Sequence, residues 1–215
     1  MSLEKQECLV VGAGGHGRVV ISILSESSQN WNPVGVYDPS FTGKKEVILG
    51  VPLVGDLNDL LQSLSKRPLP VFIGIGDNAS RKSLYEKLCE QGVPLPNLIS
   101  ASAYVAESAK LGSANLLAPH SHLGPQASIG SNNILNTGAN LEHEVWLGDH
   151  SHVSPGVHVG GRSKIGDSCH LGIGSSVIHN IQIGSKITCG AGAAVVTDLR
   201  IPGLYLGVPA KRRDT

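Results

Sequence analysis

The chain has 215 residues with 17 Lys and Arg against 17 Asp and Glu, so its formal charge is zero, and the basic residues form no long run. Such a balance argues against nucleic acid as a partner. No apolar stretch approaches membrane-spanning length and the N-terminus lacks the basic-then-apolar order of a secretion signal, so a cytoplasmic protein without membrane insertion is expected. The length accommodates two modest domains. A shift of composition near Pro94 to Asn97 predicts a first domain over residues 1–97, a second over 98–200 and a short tail over 201–215.

In the first domain, Cys8-Leu9-Val10-Val11 reads as a buried strand running straight into Gly12-Ala13-Gly14-Gly15-His16-Gly17. The apolar stripe Val19, Val20, Ile23 and Leu24 then predicts a helix. Glycines at 12, 14 and 17 have the G-x-G-x-x-G spacing, in which backbone N–H groups at a helix N-terminus approach a diphosphate. The motif alone is weak, but here it has the required strand before it and helix after it. A second strand, Val34 to Tyr37, ends on Asp38, where a nucleotide would be read. Asp56 is placed to cap a helix bearing Leu57, Leu60, Leu61 and Leu64. The strand Val71 to Gly76 and a helix from about Ala79 to Gln91 complete a small βαβ domain, short for a full dinucleotide fold.

From Ile99 an aliphatic residue returns at every sixth position through Val105, Leu111, Leu117 and onward to Ile183, and after Cys189 the series resumes at Val195 and Ile201. This is a hexapeptide repeat, and it predicts a parallel β-helix in which three hexads make one triangular coil. An amphipathic α-helix would space its apolar residues three and four apart. The glycines that often follow the aliphatic residue are read as relieving sharp turns at the corners. Cys8, Cys89, Cys169 and Cys189 lie far apart without a CxxC pair and read as small buried hydrophobes in a reducing compartment.

Residues eighteen apart stack in successive coils, so His122, Asn140 and His158 form one column, His152 and His170 another, and His143, Gly161 and His179 a third. Polar ladders explain most of these histidines, and no ligand set converges for a metal. His143 differs because Glu142 and Glu144 flank it. A carboxylate on one imidazole nitrogen fixes the tautomer and leaves the other nitrogen to take a proton, as acyl transfer to an amine or hydroxyl requires. Neighbours on a strand point apart, so the pairing needs a corner at this position. Ser151, beside His152, reads as the ordinary small residue of the coil.

Across nearly its whole length the sequence resembles the bacterial nucleotide-sugar acetyltransferases of the sialic-acid O-acetyltransferase-like group, especially the N-acetyltransferase branch of UDP-bacillosamine synthesis. The resemblance is carried by Gly12 to Gly17, by Ile73-Gly74-Ile75-Gly76-Asp77-Asn78 with Arg81-Lys82, and by Leu135-Asn136-Thr137. Glu142-His143-Glu144, Ser151-His152-Val153-Ser154 and Gly207-Val208-Pro209-Ala210-Lys211-Arg212 carry the rest. It implies an α/β Rossmann-like half domain that binds a nucleotide sugar, a left-handed parallel β-helix that transfers acetyl from acetyl-CoA, and a homotrimer. It further implies His143 as general base and Glu144 as the residue that raises its basicity, with Glu142 a bystander. For acetyl-CoA the resemblance implies His152 at the thioester, Gly161, Ile173 and Ala191 along the pantetheine, and Lys211 and Arg212 near the nucleotide end. The family has Gly where this chain has Ala191. For the second substrate it implies Gly14, Gly15, His16 and Asp38 at the UDP portion, with Gly76 also in that site and Asn136 near the sugar. The family pattern has two acidic residues at the second strand end, and here the second is Pro39.

The expected reaction is acetylation of the C4 amine of UDP-2-acetamido-4-amino-2,4,6-trideoxyglucose, giving UDP-N,N'-diacetylbacillosamine, without a metal. GDP-perosamine, a dTDP-linked 4-amino sugar, or the hydroxyl of a sialic acid are neighbouring substrates. From other classes, a dinucleotide-dependent oxidoreductase has the glycine motif in its favour and the short first domain against it, and a non-enzymatic β-helix scaffold leaves that motif unexplained.

Overall fold

The computed structural model describes residues 5–26 and 30–213. Asp214 and Thr215, the end of the predicted tail, lie outside the described residues, as do residues 1–4 of the first domain. The chain divides into two compact units, Met1–Ala101 and Ser102–Thr215.

The first unit is built on a five-stranded sheet of order β3-β4-β2-β1-β5. In chain order its elements are β1 (Gln6–Val11), α1 (Gly15–Glu26), β2 (Trp31–Tyr37), β3 (Glu46–Ile48), β4 (Val51–Gly55), α2 (Leu57–Lys66), β5 (Val71–Ile73) and α3 (Asn78–Glu90). β1, β2, β4 and β5 run parallel, as crossover helices require, and β3 turns back antiparallel on β4. Sequence reading anticipated the βαβ core and missed the β3–β4 hairpin, whose short strands carry little alternation. α2 begins in a capping box: the Asp56 carboxylate accepts from the N–H groups of Asn58 and Asp59, and the Asp59 side chain accepts from the N–H of Asp56.

Three glycines lock this unit together. A Cβ on Gly17 would lie 1.8 Å from the Gly12 carbonyl oxygen, one on Gly12 would lie 2.4 Å from the Gly74 carbonyl oxygen, and one on Gly74 would lie 2.7 Å from the Gly17 Cα. The end of β1, the first turn of α1 and the end of β5 therefore meet backbone to backbone. Gly12 also has φ +115°, a conformation that disfavours any side chain.

The second unit is a left-handed parallel β-helix of two-residue strands. Each strand pairs in parallel with the strand eighteen residues on, as in His122↔Asn140, Trp146↔Lys164 and His152↔His170. The three faces stack Leu123, Leu141, Val159 and Val177; Ile129, Leu147, Ile165 and Ile183; and Leu117, Leu135, Val153 and Leu171 into the axis, all fully or nearly fully buried. At roughly 1.5–3 kcal/mol for each buried aliphatic side chain, this column dominates the stability of the unit. The third face continues through Ile187–Cys189 to Gly203–Leu206 and the antiparallel strand Lys211–Arg213.

The corners correct the reading of the repeat glycines. The left-handed residue of each corner comes three places after the aliphatic residue, and at ten of these positions it is not glycine, from Ala114 and His120 to Glu144, Arg162 and Lys186. A left-handed non-glycine residue costs about 1–2 kcal/mol. Its N–H compensates by donating to the coil before, as Glu144 does to the Pro125 carbonyl at 2.9 Å and Arg162 to the His143 carbonyl at 3.0 Å. Glycine directly after the aliphatic residue answers a different need, clearance between coils. A Cβ on Gly148 would lie 2.1 Å from Asp167 Oδ1, and one on Gly160 would lie 2.6 Å from the His179 nitrogen.

One corner is purely structural. The carboxylates of Asp149 and Asp167 accept from the N–H groups of Ser131 and Asp149 at 2.6 and 2.8 Å. Beside them the side chains of Asn115, Asn133 and Ser151 accept from the N–H groups of Asn133, Ser151 and Cys169 at 2.7 to 2.9 Å. Ser151 is thus a rung of a ladder, as its repeat position suggests. Cys8, Cys169 and Cys189 are buried and burial raises their thiol pKa values to about 12, 11 and 12, but Cys89 is exposed, contrary to expectation, because its side of α3 faces solvent. Among the described residues no helix is long and apolar enough to cross a membrane.

Candidate active site

In the first unit the glycine motif divides its labour. Gly12 and Gly17 are consumed by close packing, whereas Gly14 and Gly15 face open space and are exposed at the N-terminus of α1. Their backbone is the part free to meet a ligand, where the helix dipole favours an anion. Beside it lies a cleft of about 360 Å³ lined by Ala13, Gly14, Asp38, Ser40, Phe41 and Lys44, among others.

Asp38 forms one wall of that cleft. Its Oδ2 accepts from the Ala13 N–H at 2.7 Å, and its Oδ1 accepts from the Ser40 N–H and hydroxyl at 2.8 and 2.5 Å. Partial burial works against its charge, but these three hydrogen bonds outweigh it and hold the carboxyl below its ordinary range. The carboxylate therefore braces the glycine loop against the end of β2.

His16 and Gly76 sit together, a Cβ on Gly76 coming 4.0 Å from the His16 Cβ. Burial, helped by the charge of Arg81, pushes the His16 imidazole down to about 4, so it is neutral at neutral pH. Arg81 itself is 1% exposed and donates to the carbonyls of Ile75 and Gly76 at 3.3 and 2.9 Å and to Asn78 Oδ1 at 2.7 Å. Sequence reading gave this arginine no role. It fixes the turn that carries Gly76.

In the second unit His143 and Glu144 occupy a corner, which resolves the objection that strand neighbours point apart. Glu144 has φ +58°, and this left-handed turn brings its carboxylate back to the imidazole, with Glu144 Oε2 2.9 Å from His143 Nδ1. With Nδ1–H as donor, Nε2 is left with its lone pair. The same oxygen accepts from Arg162 Nε at 3.0 Å. Hydrogen bonds from His143 and then Arg162 hold the Glu144 carboxyl below its ordinary range, although it is exposed. Glu142 turns away, its Oε1 accepting from Asn140 Nδ2 at 3.2 Å.

Gly161 is the floor beneath the ring. A Cβ there would come 2.4 Å from His143 Nε2 and 2.5 Å from its Cε1. Nε2 thus lies against a position of the next coil whose side chain is a single hydrogen.

The remaining predicted residues gather elsewhere on the triangle. His152 and His170 stack edge to face at 5.1 Å on the third face, Asn136 Nδ2 lies 3.1 Å from His152 Nε2, and Ser154 Oγ lies 3.3 Å from His170 Nε2. Ile173, 62% exposed, and Ala191 occupy the corner that follows this face, eighteen residues apart in one column. Lys211 and Arg212, both exposed, extend the same sheet four strand spacings beyond His152, about 19 Å along the stack. The structure therefore joins His143, Glu144 and Gly161 at one corner, and His152, Asn136, Ile173, Ala191, Lys211 and Arg212 along another face and corner. Among the described residues no cluster of three or more His, Cys, Asp or Glu side chains is arranged to hold a metal ion.

Comparison with known proteins bears on both units. Residues 7–88 match the family described as PglD N-terminal domain. Over 100% of both chains, the protein is 34% identical to a His-to-Asn variant of perosamine N-acetyltransferase from Caulobacter crescentus, solved with CoA and GDP-perosamine, at a TM-score of 0.92. The acetyltransferase domain of PglB from Neisseria gonorrhoeae, solved with acetyl coenzyme A, is 29% identical over 97% of this chain and 100% of its own, at a TM-score of 0.89. No curated protein sequence matches. The chain belongs to the sialic-acid O-acetyltransferase-like family of bacterial nucleotide-sugar acetyltransferases. As an acetyltransferase of this family it is neither a dinucleotide-dependent oxidoreductase nor a bare scaffold.

Proposed function

We propose that this acetyltransferase moves acetyl from acetyl-CoA to the C4 amine of a nucleotide-linked 4-amino-4,6-dideoxy sugar, with UDP-2-acetamido-4-amino-2,4,6-trideoxyglucose as the substrate and UDP-N,N'-diacetylbacillosamine as the product. The observation that carries the reading is the His143 imidazole, bonded through Nδ1 to Glu144 and open at Nε2 over Gly161. Nε2 takes the proton from the sugar amine as the amine nitrogen bonds to the acetyl carbon, and the thiolate of CoA leaves. Glu144 stabilises the imidazolium that forms. No covalent enzyme intermediate is needed, since holding amine and thioester together contributes up to about 7–11 kcal/mol in favourable model systems.

Acetyl-CoA suits the face that begins at His152. It offers an imidazole at one end, the exposed apolar side chain of Ile173 alongside, and the cations of Lys211 and Arg212 some 19 Å on for phosphates. His143 lies at a different corner, so one wall holds only part of a site. A homotrimer, in which the corner of one chain meets the face of the next, supplies both parts in each cleft, and our reading places the enzyme in the cytoplasm. The nucleotide diphosphate suits Gly14 and Gly15, with His16 as a neutral hydrogen-bonding group, Asp38 bracing the loop, Gly76 beside His16 and Asn136 near the sugar.

GDP-perosamine is the second reading, favoured by the full-length similarity to perosamine N-acetyltransferase. Thiol release from acetyl-CoA, measured with UDP-, GDP- and dTDP-linked 4-amino sugars and their 4-hydroxyl counterparts, separates the readings. Release with the UDP amino sugar alone supports the first. Release with GDP-perosamine alone selects the second, and release with no amino sugar rejects the substrate class.

A further inference from the structure

Arg162 follows Glu144 by eighteen residues, and its side chain closes a ring of contacts around the base. The Arg162 N–H donates to the His143 carbonyl at 3.0 Å, Arg162 Nε–H donates to Glu144 Oε2 at 3.0 Å, and the same Oε2 accepts from His143 Nδ1 at 2.9 Å. Arg162 has φ +61° and Glu144 φ +58°, so both side chains leave equivalent corners of consecutive coils and are aligned by the stacking itself. We propose that Arg162 is a positioning residue: by donating to the same oxygen that meets the imidazole, it fixes the Glu144 carboxylate against His143.

Glu144 is exposed, and a lone carboxylate there would sample several rotamers, so a second donor on the bonded oxygen narrows it to the one that meets Nδ1. The other charged or titratable groups near the ring are Glu142, bonded to Asn140, and His179, the next residue of the column beyond Gly161. The coil before contributes only Gly124, Pro125 and Gln126, which carry no charge. Among the described residues Arg162 is thus the cation that meets the Glu144 carboxylate and holds it in place. This rests on the reading of His143 as the base.

The test uses the full chain. The His143 ring nitrogen resonances, identified by their absence in His143→Asn, are recorded by NMR in the wild type, Arg162→Gln and Arg162→Lys. The wild type is expected to hold the Nδ1–H tautomer, Arg162→Gln to mix it with the Nε2–H tautomer, and Arg162→Lys to lie between the two. A tautomer unchanged in Arg162→Gln overturns the proposal. This spectrum needs no substrate, so it decides the role of Arg162 whichever sugar the chain acetylates. In turnover, Arg162→Ala is expected to lower kcat about five-fold with the KM for acetyl-CoA unchanged, and to cause no further loss in a Glu144→Gln background. Losses that simply multiply in the double variant would show that Arg162 does not act through Glu144.

Discussion

The two units use glycine in opposite ways, and the contrast shows where each can tolerate change. In the first unit Gly12, Gly17 and Gly74 crowd into one point where two strands and a helix touch by backbone alone, while Gly14 and Gly15 beside them stand open. In the β-helix the glycines are spread along the axis, some turning open corners and others clearing the next coil, and at Gly161 the cleared space is filled by the ring of His143. One region concentrates its constraint in a knot beside an open loop. The other repeats a small constraint many times and at one repeat seats a histidine ring.

Breaking the knot gives the largest effect. Gly17→Ala places a methyl against the Gly12 carbonyl, and neither backbone can yield without moving α1 off β1, so a loss of roughly 3 kcal/mol or more is expected in a thermal or urea melt of the full chain. Gly14→Ala, three residues away in open space, is expected to behave oppositely: the melt stays at the wild-type value while the KM for the nucleotide sugar rises. A wild-type melt for Gly17→Ala would refute the knot.

Gly161→Ala comes next. Its Cβ meets only the far end of the His143 side chain, so the coil survives and the ring is displaced. A kcat lower by roughly 10- to 100-fold, with an unchanged melting temperature, is expected. Unchanged kcat would show that the ring does not depend on this floor.

A smaller effect belongs to His16. Its imidazole is pushed down from 6.5 to about 4, so between these values the unfolded chain binds a proton that the folded chain refuses. Stability should therefore fall as pH drops from about 6.5 to about 4, and His16→Asn should flatten that part of the curve. Equal pH dependence in the two proteins would contradict it. Smallest is Ser151→Ala, which removes one rung of the ladder, an expected loss of about 1 kcal/mol with kcat unchanged.

Much of this was legible before any coordinates. The period of six fixes the β-helix because only a core-facing aliphatic residue can recur at that spacing, and the eighteen-residue columns place Gly161 beneath His143. What the sequence hid were groups whose role depends on backbone direction. Whether Glu142 or Glu144 meets the imidazole is decided by a positive φ at Glu144, a conformation that residue identity does not announce. Arg162 could have been found from its offset of eighteen from Glu144, had columns of opposite charge been sought as well as columns of histidine. The buried Arg81 gave a weaker signal, the opposite charge of Asp77 four residues before it, while its hydrogen bonds go to carbonyl groups.

In the proposed reaction His143, oriented by Glu144, removes the proton from the attacking amine. The rate of thiol release from acetyl-CoA with a saturating nucleotide-linked 4-amino sugar, for His143→Asn against the wild type, tests this directly. A kcat lower by roughly 10²- to 10⁴-fold with acetyl-CoA affinity retained is expected. Wild-type turnover in that variant would contradict it.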